Sequence, residues 1–209
     1  MYVPPAFEEN DRDILRAMIG EARLANLVTA TEDGLIATPL PLFLDPEEGE
    51  RGTLYGHVAR ANPQWRTAPV GEALAIFMGP DAYVTPSWYA TKQEHGKVVP
   101  TWNYTAVHAY GSVEFFEDAD RLLDVVTRLT RLHEASRDQP WSVGDAPEPF
   151  VHAQLKGIVG LRLQISRLEG KRKLSQNRNL ADRTGVAEGL AASERETDQR
   201  VAGLIPTGK

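Results

Sequence analysis

The tightest constraint in this chain is a short turn, Glu32-Asp33-Gly34, set between two runs of β-forming residues. Leu24-Ala25-Asn26-Leu27-Val28-Thr29-Ala30-Thr31 leads in, and Leu35-Ile36-Ala37-Thr38-Pro39-Leu40-Pro41-Leu42-Phe43-Leu44 leads away. Asp-Gly in that setting is a hairpin signal, because Gly accepts the positive φ of a tight turn. The fold therefore starts from an antiparallel strand pair. Pro39 and Pro41 are unusual inside a strand, since neither has an N–H for the ladder. They imply an edge, a bulge, or a stretch of backbone covered by something other than a neighbouring strand.

The remaining chain extends this pattern. Thr53 to Val58 reads as a strand and Ala73 to Met78 as a continuous apolar one. Thr105 to Phe116 alternates, with Val107, Ala109, Gly111, Val113 and Phe115 on one face, and Ile158 to Leu168 is a last strand. Ile14, Leu15, Met18 and Ile19 mark an amphipathic helix over about 10–23, capped by Asn10 or Asp11. Leu122, Val125, Val126, Leu129 and Leu132 form a second helical stripe. Pro63 sits near the start of a short helical turn. Gln139 to Phe150 reads as a Pro-rich loop, and a polar helical tail runs over about 175–205, with Ser175 as its cap. Six or seven mostly antiparallel strands with helices at both ends predict an α+β single domain over 1–209, its barrel-like sheet over about 24–168.

Composition removes several functions. The chain of 209 residues has no Cys, which excludes disulfides, thiolate catalysis and Cys-based zinc sites. His57, His95, His108, His133 and His152 show no metal-ligand spacing, and no nucleophile elbow, Walker loop or dinucleotide fingerprint is present. We expect no catalytic set and no metal. The start has no basic-then-apolar leader and no apolar run is long enough to span a bilayer, so the expected location is cytoplasmic, with no membrane partner. The net charge of −6 is the wrong sign for a dedicated DNA-binding surface. It is unevenly spread, however: Arg167 to Arg183 holds six basic residues against two acidic ones.

Three segments could carry chemistry. Gly79 to Tyr104 concentrates Tyr83, Trp88, Tyr89, Trp102 and Tyr104 among Ser, Thr, Asn, Lys, Gly and Pro. Such rings either roof a core or wall a planar ligand. His57-Val58-Ala59-Arg60-Ala61-Asn62-Pro63-Gln64-Trp65 stands where a strand gives way to a helical turn. There His57, Arg60 and Asn62 would make an anion site beside outward-pointing N–H groups, or else a capped turn with a surface arginine. Around Glu169 to Arg178, Lys171, Lys173 and Arg178 could reach a phosphate, or could be a solvated turn.

These motifs, with Met1-Tyr2-x-Pro4-x-x-Phe7, Tyr83-Val84-Thr85-Pro86-Ser87-Trp88-Tyr89, Gly96-Lys97-Val98-Val99-Pro100-Thr101-Trp102-Asn103-Tyr104 and Lys173-Leu174-Ser175-Gln176-Asn177-Arg178, resemble the PaiB family. Its members are described as FMN-binding negative transcriptional regulators, and the likeness runs from the first residue to about Leu190. The resemblance implies an antiparallel FMN-binding split β-barrel with flanking helices, working as a homodimer with a flavin-type site at the subunit interface. It implies FMN as cofactor. It points to Thr38, His57, Arg60, Asn62, Trp102, Asn103, Lys173, Gln176 and Asn177 as cofactor-binding, with Arg60 at the phosphate and Lys173, Gln176 and Asn177 approaching from the partner chain. DNA enters as a partner through the resemblance alone. The alternative is a flavin-dependent oxidoreductase or haem-handling protein of the pyridoxamine-phosphate-oxidase-like superfamily.

Overall fold

Gly34 turns with φ of +120° and closes the hairpin in the computed structural model, which describes residues 1–22 and 24–208. Among those residues the elements are β1 (Glu8–Glu9), α1 (Arg12–Glu21), β2 (Ala25–Thr31), β3 (Gly34–Leu40), β4 (Leu42–Asp45), β5 (Thr53–Ala59), β6 (Ala73–Val84), α2 (Thr91–His95), β7 (Thr101–Phe116), α3 (Ala119–Glu134), α4 (Glu148–Leu155), β8 (Ile158–Lys173), α5 (Leu180–Ala191) and α6 (Glu196–Leu204). The strands form one sheet in the order β3-β2-β6-β7-β8-β5-β4, with β1 added on β8. The pairings β1–β8, β2–β3, β2–β6, β4–β5 and β5–β8 are all antiparallel. This is the antiparallel α+β sheet with flanking helices that the sequence implies. No helix among the described residues is long and apolar enough to cross a membrane.

Several boundaries differ from the sequence reading, each for a local reason. The run 35–44 is two strands: Pro41 has no N–H to donate, and the chain changes partner there, β3 pairing with β2 and β4 with β5. β3 is an edge strand, one of the outcomes that Pro39 implies. β6 does not stop at Met78 but continues to Val84. Its buried positions shift from Ala73, Ala75 and Phe77 to Ala82 and Val84, so the alternation slips around Gly79-Pro80. A Cβ on Gly79 would lie 2.0 Å from Thr105 Oγ1, which explains the glycine. β7 begins at Thr101 rather than Thr105, and the expected loop 139–150 already contains the start of α4, with Pro149 tolerated in its first turn. β8 carries on through Lys173, so Lys171, Arg172 and Lys173 lie on a strand, and only Arg178 of the basic group stands in the turn that follows. The tail is two helices, and the cap of α5 is Asn179, which accepts from Asp182 N at 2.8 Å, rather than Ser175. Asp11 caps α1, accepting from Asp13 N at 2.9 Å. The predicted end of that helix, Arg23, lies outside the described residues.

By internal contacts the chain divides into two compact units. The first comprises Met1–Met18, Met78–Val107 and Glu169–Lys209. Here α5 and α6 lay Val186, Leu190 and Val201, joined by Ile205 just past the end of α6, against Ala82, Val84, Tyr89 and Leu174. Trp88 seats on α5 only because Gly185 and Gly189 leave room: a Cβ would come within 2.2 Å of Trp88 O at Gly185 and 2.4 Å of its ring at Gly189. The buried Asp182 carboxylate accepts from Thr91 N at 3.0 Å and Thr91 Oγ1 at 2.9 Å, tying the start of α2 to α5.

The second unit comprises Ile19–Phe77 and His108–Leu168. Asp118 caps α3, which buries Leu122, Val125 and Leu129 against Phe43 and Phe116, joined by Leu155 of α4. Leu132, placed on that stripe by the sequence, is exposed. Arg128 clamps the helix to β4, pairing with Asp45 at 2.8 Å while its guanidinium lies 4.4 Å from the Phe43 ring centroid.

The glycine seat is directly testable. In a helix Gly→Ala ordinarily gains up to about 1 kcal/mol. Gly203→Ala on α6, where a Cβ meets nothing within 4 Å, should show such a gain. Gly189→Ala should instead lose about 1–3 kcal/mol, because Trp88 must be displaced. Urea midpoints of the two variants beside the parent check the opposite signs.

Candidate functional site

The singled-out residues fall in both units, and each group has its own geometry. In the second unit, Asn62 caps the 3-10 turn Pro63–Arg66, its Oδ1 accepting from Gln64 N at 2.9 Å. Its Nδ2 donates to Thr38 Oγ1 at 2.9 Å, so two residues flagged separately in the sequence meet here. Gln64 is fully buried, and its Nε2 reaches Leu27 O, Thr29 Oγ1 and Ile36 O at 3.1–3.3 Å. That amide pins the turn to β2 and β3.

Arg60 is engaged on every side. Its Nε donates to Lys156 O at 2.6 Å, Nη2 to Ile158 O at 3.2 Å, and Nη1 to the Glu117 carboxylate. Trp65 Nε1 returns a bond to Arg60 O at 2.9 Å. The guanidinium thus clasps the turn to the start of β8, and its charge is matched by Glu117. His57, on β5 opposite Gly160, does not join this network: its buried Nδ1 has no hydrogen-bond partner among the described residues. Burial holds its imidazole below the ordinary value of 6.5.

In the first unit, Trp102 and Tyr83 stand edge to face with centroids 6.0 Å apart, on neighbouring strands β7 and β6. Both are about half exposed, at 49% and 46%. Lys173 Nζ donates to the Trp102 carbonyl and to Thr101 Oγ1, the latter at 2.6 Å. Two residues back along β8, Lys171 is only 7% exposed; its Nζ donates to Tyr2 O at 3.1 Å and lies 5.1 Å from the Tyr104 centroid. Asn103 is fully buried and exchanges bonds with Ser175 Oγ at 3.0 and 3.3 Å. Ser175 holds φ of +64°, a left-handed conformation rare for a residue with a Cβ. Gln176 folds back on its own strand, its Oε1 accepting from Leu174 N at 2.7 Å and its Nε2 donating to Arg172 O. Arg178 N closes the turn onto Ser175 O at 2.9 Å, leaving Asn177 exposed at its tip.

The two groups differ electrostatically. Arg172 pairs with Glu9 at 3.3 Å, but among the described residues Lys171, Lys173 and Arg178 have no carboxylate partner. Burial, then the charges of Lys171 and Arg178, hold the Lys173 ammonium below the usual lysine range. FMN presents a planar ring system and a phosphate monoester. The first unit offers both kinds of group: the half-exposed Tyr83 and Trp102 rings, and Lys171 and Lys173 without carboxylate partners among the described residues. At the second-unit turn, Arg60 would have to exchange Glu117 for the phosphate. Sequence reasoning missed Glu117 and Gln64 as the partners of that turn. Only the Asn62-Pro63 cap was locally legible.

Two consequences can be measured. Ser175→Ala strands a buried amide and keeps a Cβ at positive φ, so it should cost about 1–3 kcal/mol. Ser175→Gly should cost less, because it relieves the left-handed backbone; paired urea melts decide. His57 sets a pH effect. With its folded pKa depressed, the unfolded chain takes up the proton first, near 6.5. Stability is then full above that pH and falls as pH drops through it toward the folded value. His57→Gln should flatten that part of a melting-temperature profile.

Residues 1–167 match the family model described as "Putative FMN-binding domain". The chain is 34% identical over 206 residues to "Protease synthase and sporulation protein PAI 2" of Bacillus subtilis, covering 98% of this chain and 96% of that protein. It is 32% identical to an uncharacterised protein of Emericella nidulans, again covering 98% and 96%. Among solved structures, the flavocytochrome Anf3 of Azotobacter vinelandii aligns with a TM-score of 0.58 at 13% identity, over 79% of this chain and 69% of that one. The FAD and haem binding protein of Mycobacterium smegmatis aligns with a TM-score of 0.56 at 14% identity, over 79% and 73%. At such identities the structures speak to fold alone, and they agree with the split-barrel class. The sequence matches speak to descent: the chain belongs to the PaiB family of FMN-binding-domain proteins.

Proposed function

We propose that this protein binds FMN as a homodimer, with the flavin-type site drawing on the first-unit cluster. The observation that carries this reading is the half-exposed Tyr83–Trp102 pair beside Lys173, whose ammonium rests on the Trp102 carbonyl and has no carboxylate partner among the described residues. Trp102 offers a ring face and Lys173 a charge. Asn103 and Gln176 hold the backbone that presents them, and Asn177 remains available at the turn tip. Thr38, His57, Arg60 and Asn62 belong to the other unit, where Thr38, Arg60 and Asn62 frame a turn. FMN, when bound, supplies one- and two-electron redox chemistry of its own. Dimerisation is supported by the rings and apolar groups left exposed in the first unit, Met78, Tyr83, Val99 and Trp102 among them.

A second reading, repression of transcription, is favoured by the cluster Lys171, Arg172, Lys173 and Arg178. It requires a gel shift that weakens steeply with salt. We further propose that 1–209 folds as one domain, because β6, β7 and β8 each run unbroken through residues of both units. One cooperative unfolding transition followed by two probes would support that.

Micromolar FMN should be taken up with quenched flavin fluorescence and a raised melting temperature, and sedimentation should give a dimer. Trp102→Ala should weaken uptake by about tenfold, the loss of one stacking contact of about 1–2 kcal/mol. Unchanged fluorescence and melting temperature on adding FMN would sink the flavin reading.

A further inference from the structure

The surroundings of Lys173 are unlike those of Lys92, Lys97 and Lys156, which are exposed. Lys173 is the last residue of β8 and is partly buried. Its Nζ donates to Thr101 Oγ1 at 2.6 Å and to the Trp102 carbonyl, and the Phe7 ring is centred 5.9 Å away. Two residues back, on the same face of β8, Lys171 Nζ lies 5.1 Å from the Tyr104 centroid and 5.7 Å from that of Tyr2. Nearby acids do not balance the two lysines. Glu9 is taken by Arg172, Glu169 pairs with the Met1 ammonium, and Glu8, opposite Lys171 in the β1–β8 register, makes no ion pair with it. Arg178, in the turn after β8, adds a further positive charge that acts on Lys173.

The two protonation states of Lys173 fit this place differently. An ammonium brings three N–H donors and a charge, and it meets two neutral acceptors and two neighbouring cations. A neutral amine has two N–H donors and one lone pair. Thr101 Oγ1 and the Trp102 carbonyl take both donors and leave the lone pair unclaimed. Burial, then the charges of Lys171 and Arg178, favour the amine by holding the group below the usual lysine range. A desolvated lysine amine beside a second cation is a nucleophile toward carbonyl groups. The rings of Tyr2, Phe7 and Tyr104 beside the two lysines suit a carbonyl compound with a flat, apolar body.

We propose that Lys173 is a carbonyl-capturing nucleophile that condenses with a small aromatic aldehyde to form an imine, with Lys171 acting on it as a positioning charge. The Lys173 lone pair attacks the carbonyl carbon, forming the C–N bond while the C=O π pair moves to oxygen. The two amine protons end on that oxygen, which leaves as water as the C=N bond closes. One amine and one aldehyde thus give one imine and one water, and nothing is oxidised or reduced. The step needs no flavin, and the inference does not rest on FMN binding.

The test treats the full chain, without FMN, with salicylaldehyde as the probe and sodium cyanoborohydride as the reductant that traps the imine. Peptide mass spectrometry reads which lysine is labelled and how fast, at neutral pH and over a pH series. The parent, Lys173→Arg, Lys97→Arg and Lys171→Gln are compared, each first shown to be folded by circular dichroism. Lys173 of the parent should be labelled about tenfold or more faster than Lys97 or Lys156 at neutral pH. Lys173→Arg keeps a cation in place and should abolish the fast labelling, whereas Lys97→Arg should retain it. Lys171→Gln should still label Lys173, but with its rate-against-pH curve displaced toward higher pH, which a merely structural role would not produce. Labelling spread evenly over the lysines, or fast labelling that survives in Lys173→Arg, overturns the proposal. So does a Lys171→Gln curve that coincides with the parent's. The flavin reading stands or falls separately, on the FMN uptake experiment.

Discussion

The buried pair Asn103–Ser175 is the constraint on which the first unit turns. A fully buried side-chain amide must find partners or lose about 1–3 kcal/mol, and Asn103 finds both its donor and its acceptor partner in one hydroxyl. That hydroxyl belongs to a residue in left-handed backbone, a conformation costing about 1–2 kcal/mol for a residue with a Cβ. The amide therefore holds the chain in a bend it would otherwise avoid, immediately after β8 ends. Leu174, just before the bend, is driven into the core with Val186 and Leu190. Gln176, just after it, ties back to Arg172 and Leu174. With both sides of the bend fixed, Lys173 can only project along β7, where it meets Thr101 and Trp102.

This anchoring explains how two cations are tolerated without carboxylates. Their positions are set by neutral groups: a core leucine, an amide pair and a strand register. None of these depends on the charges being matched. The second-unit turn is built the opposite way. Arg60 is itself the clasp, and removing Glu117 would leave its charge to carbonyl oxygens alone. A residue that holds the fold through its charge has little left for a ligand, whereas one held by neutral neighbours keeps its charge for use.

How much was legible in the sequence follows from the range of each interaction. The Asp33-Gly34 hairpin, the Asn62-Pro63 cap and the α3 stripe depend on neighbours within a few residues, and their residue types announce them. Strand ends at Val84, Thr101 and Lys173 were misjudged because these strands carry rings and charges on an outward face, which reads as loop. Partner choice was invisible. Nothing near Arg60 points to Glu117, 57 residues away, and nothing near Lys173 points to Thr101, 72 residues away. Ser175 looked like a helix cap because Ser is a good one. Asn103, 72 residues earlier, had recruited it for a different task.

The aromatic segment Gly79 to Tyr104 resolves along the same lines. Tyr89 is buried in the first-unit core and Trp88 is seated against two glycines of α5, so these rings roof a core. Tyr83 and Trp102 remain half exposed on the strands beside Lys173, and they are the rings that suit a ligand wall. The same partition bears on what kind of anion the cations suit. A polymer needs a row of accessible charges, each displacing a counterion. Here Lys171 is 7% exposed, Arg172 is paired with Glu9, and Lys173 is half covered by its own strand neighbours. Charges partly withdrawn from solvent and edged by ring faces are poorly placed to track an extended backbone of phosphates.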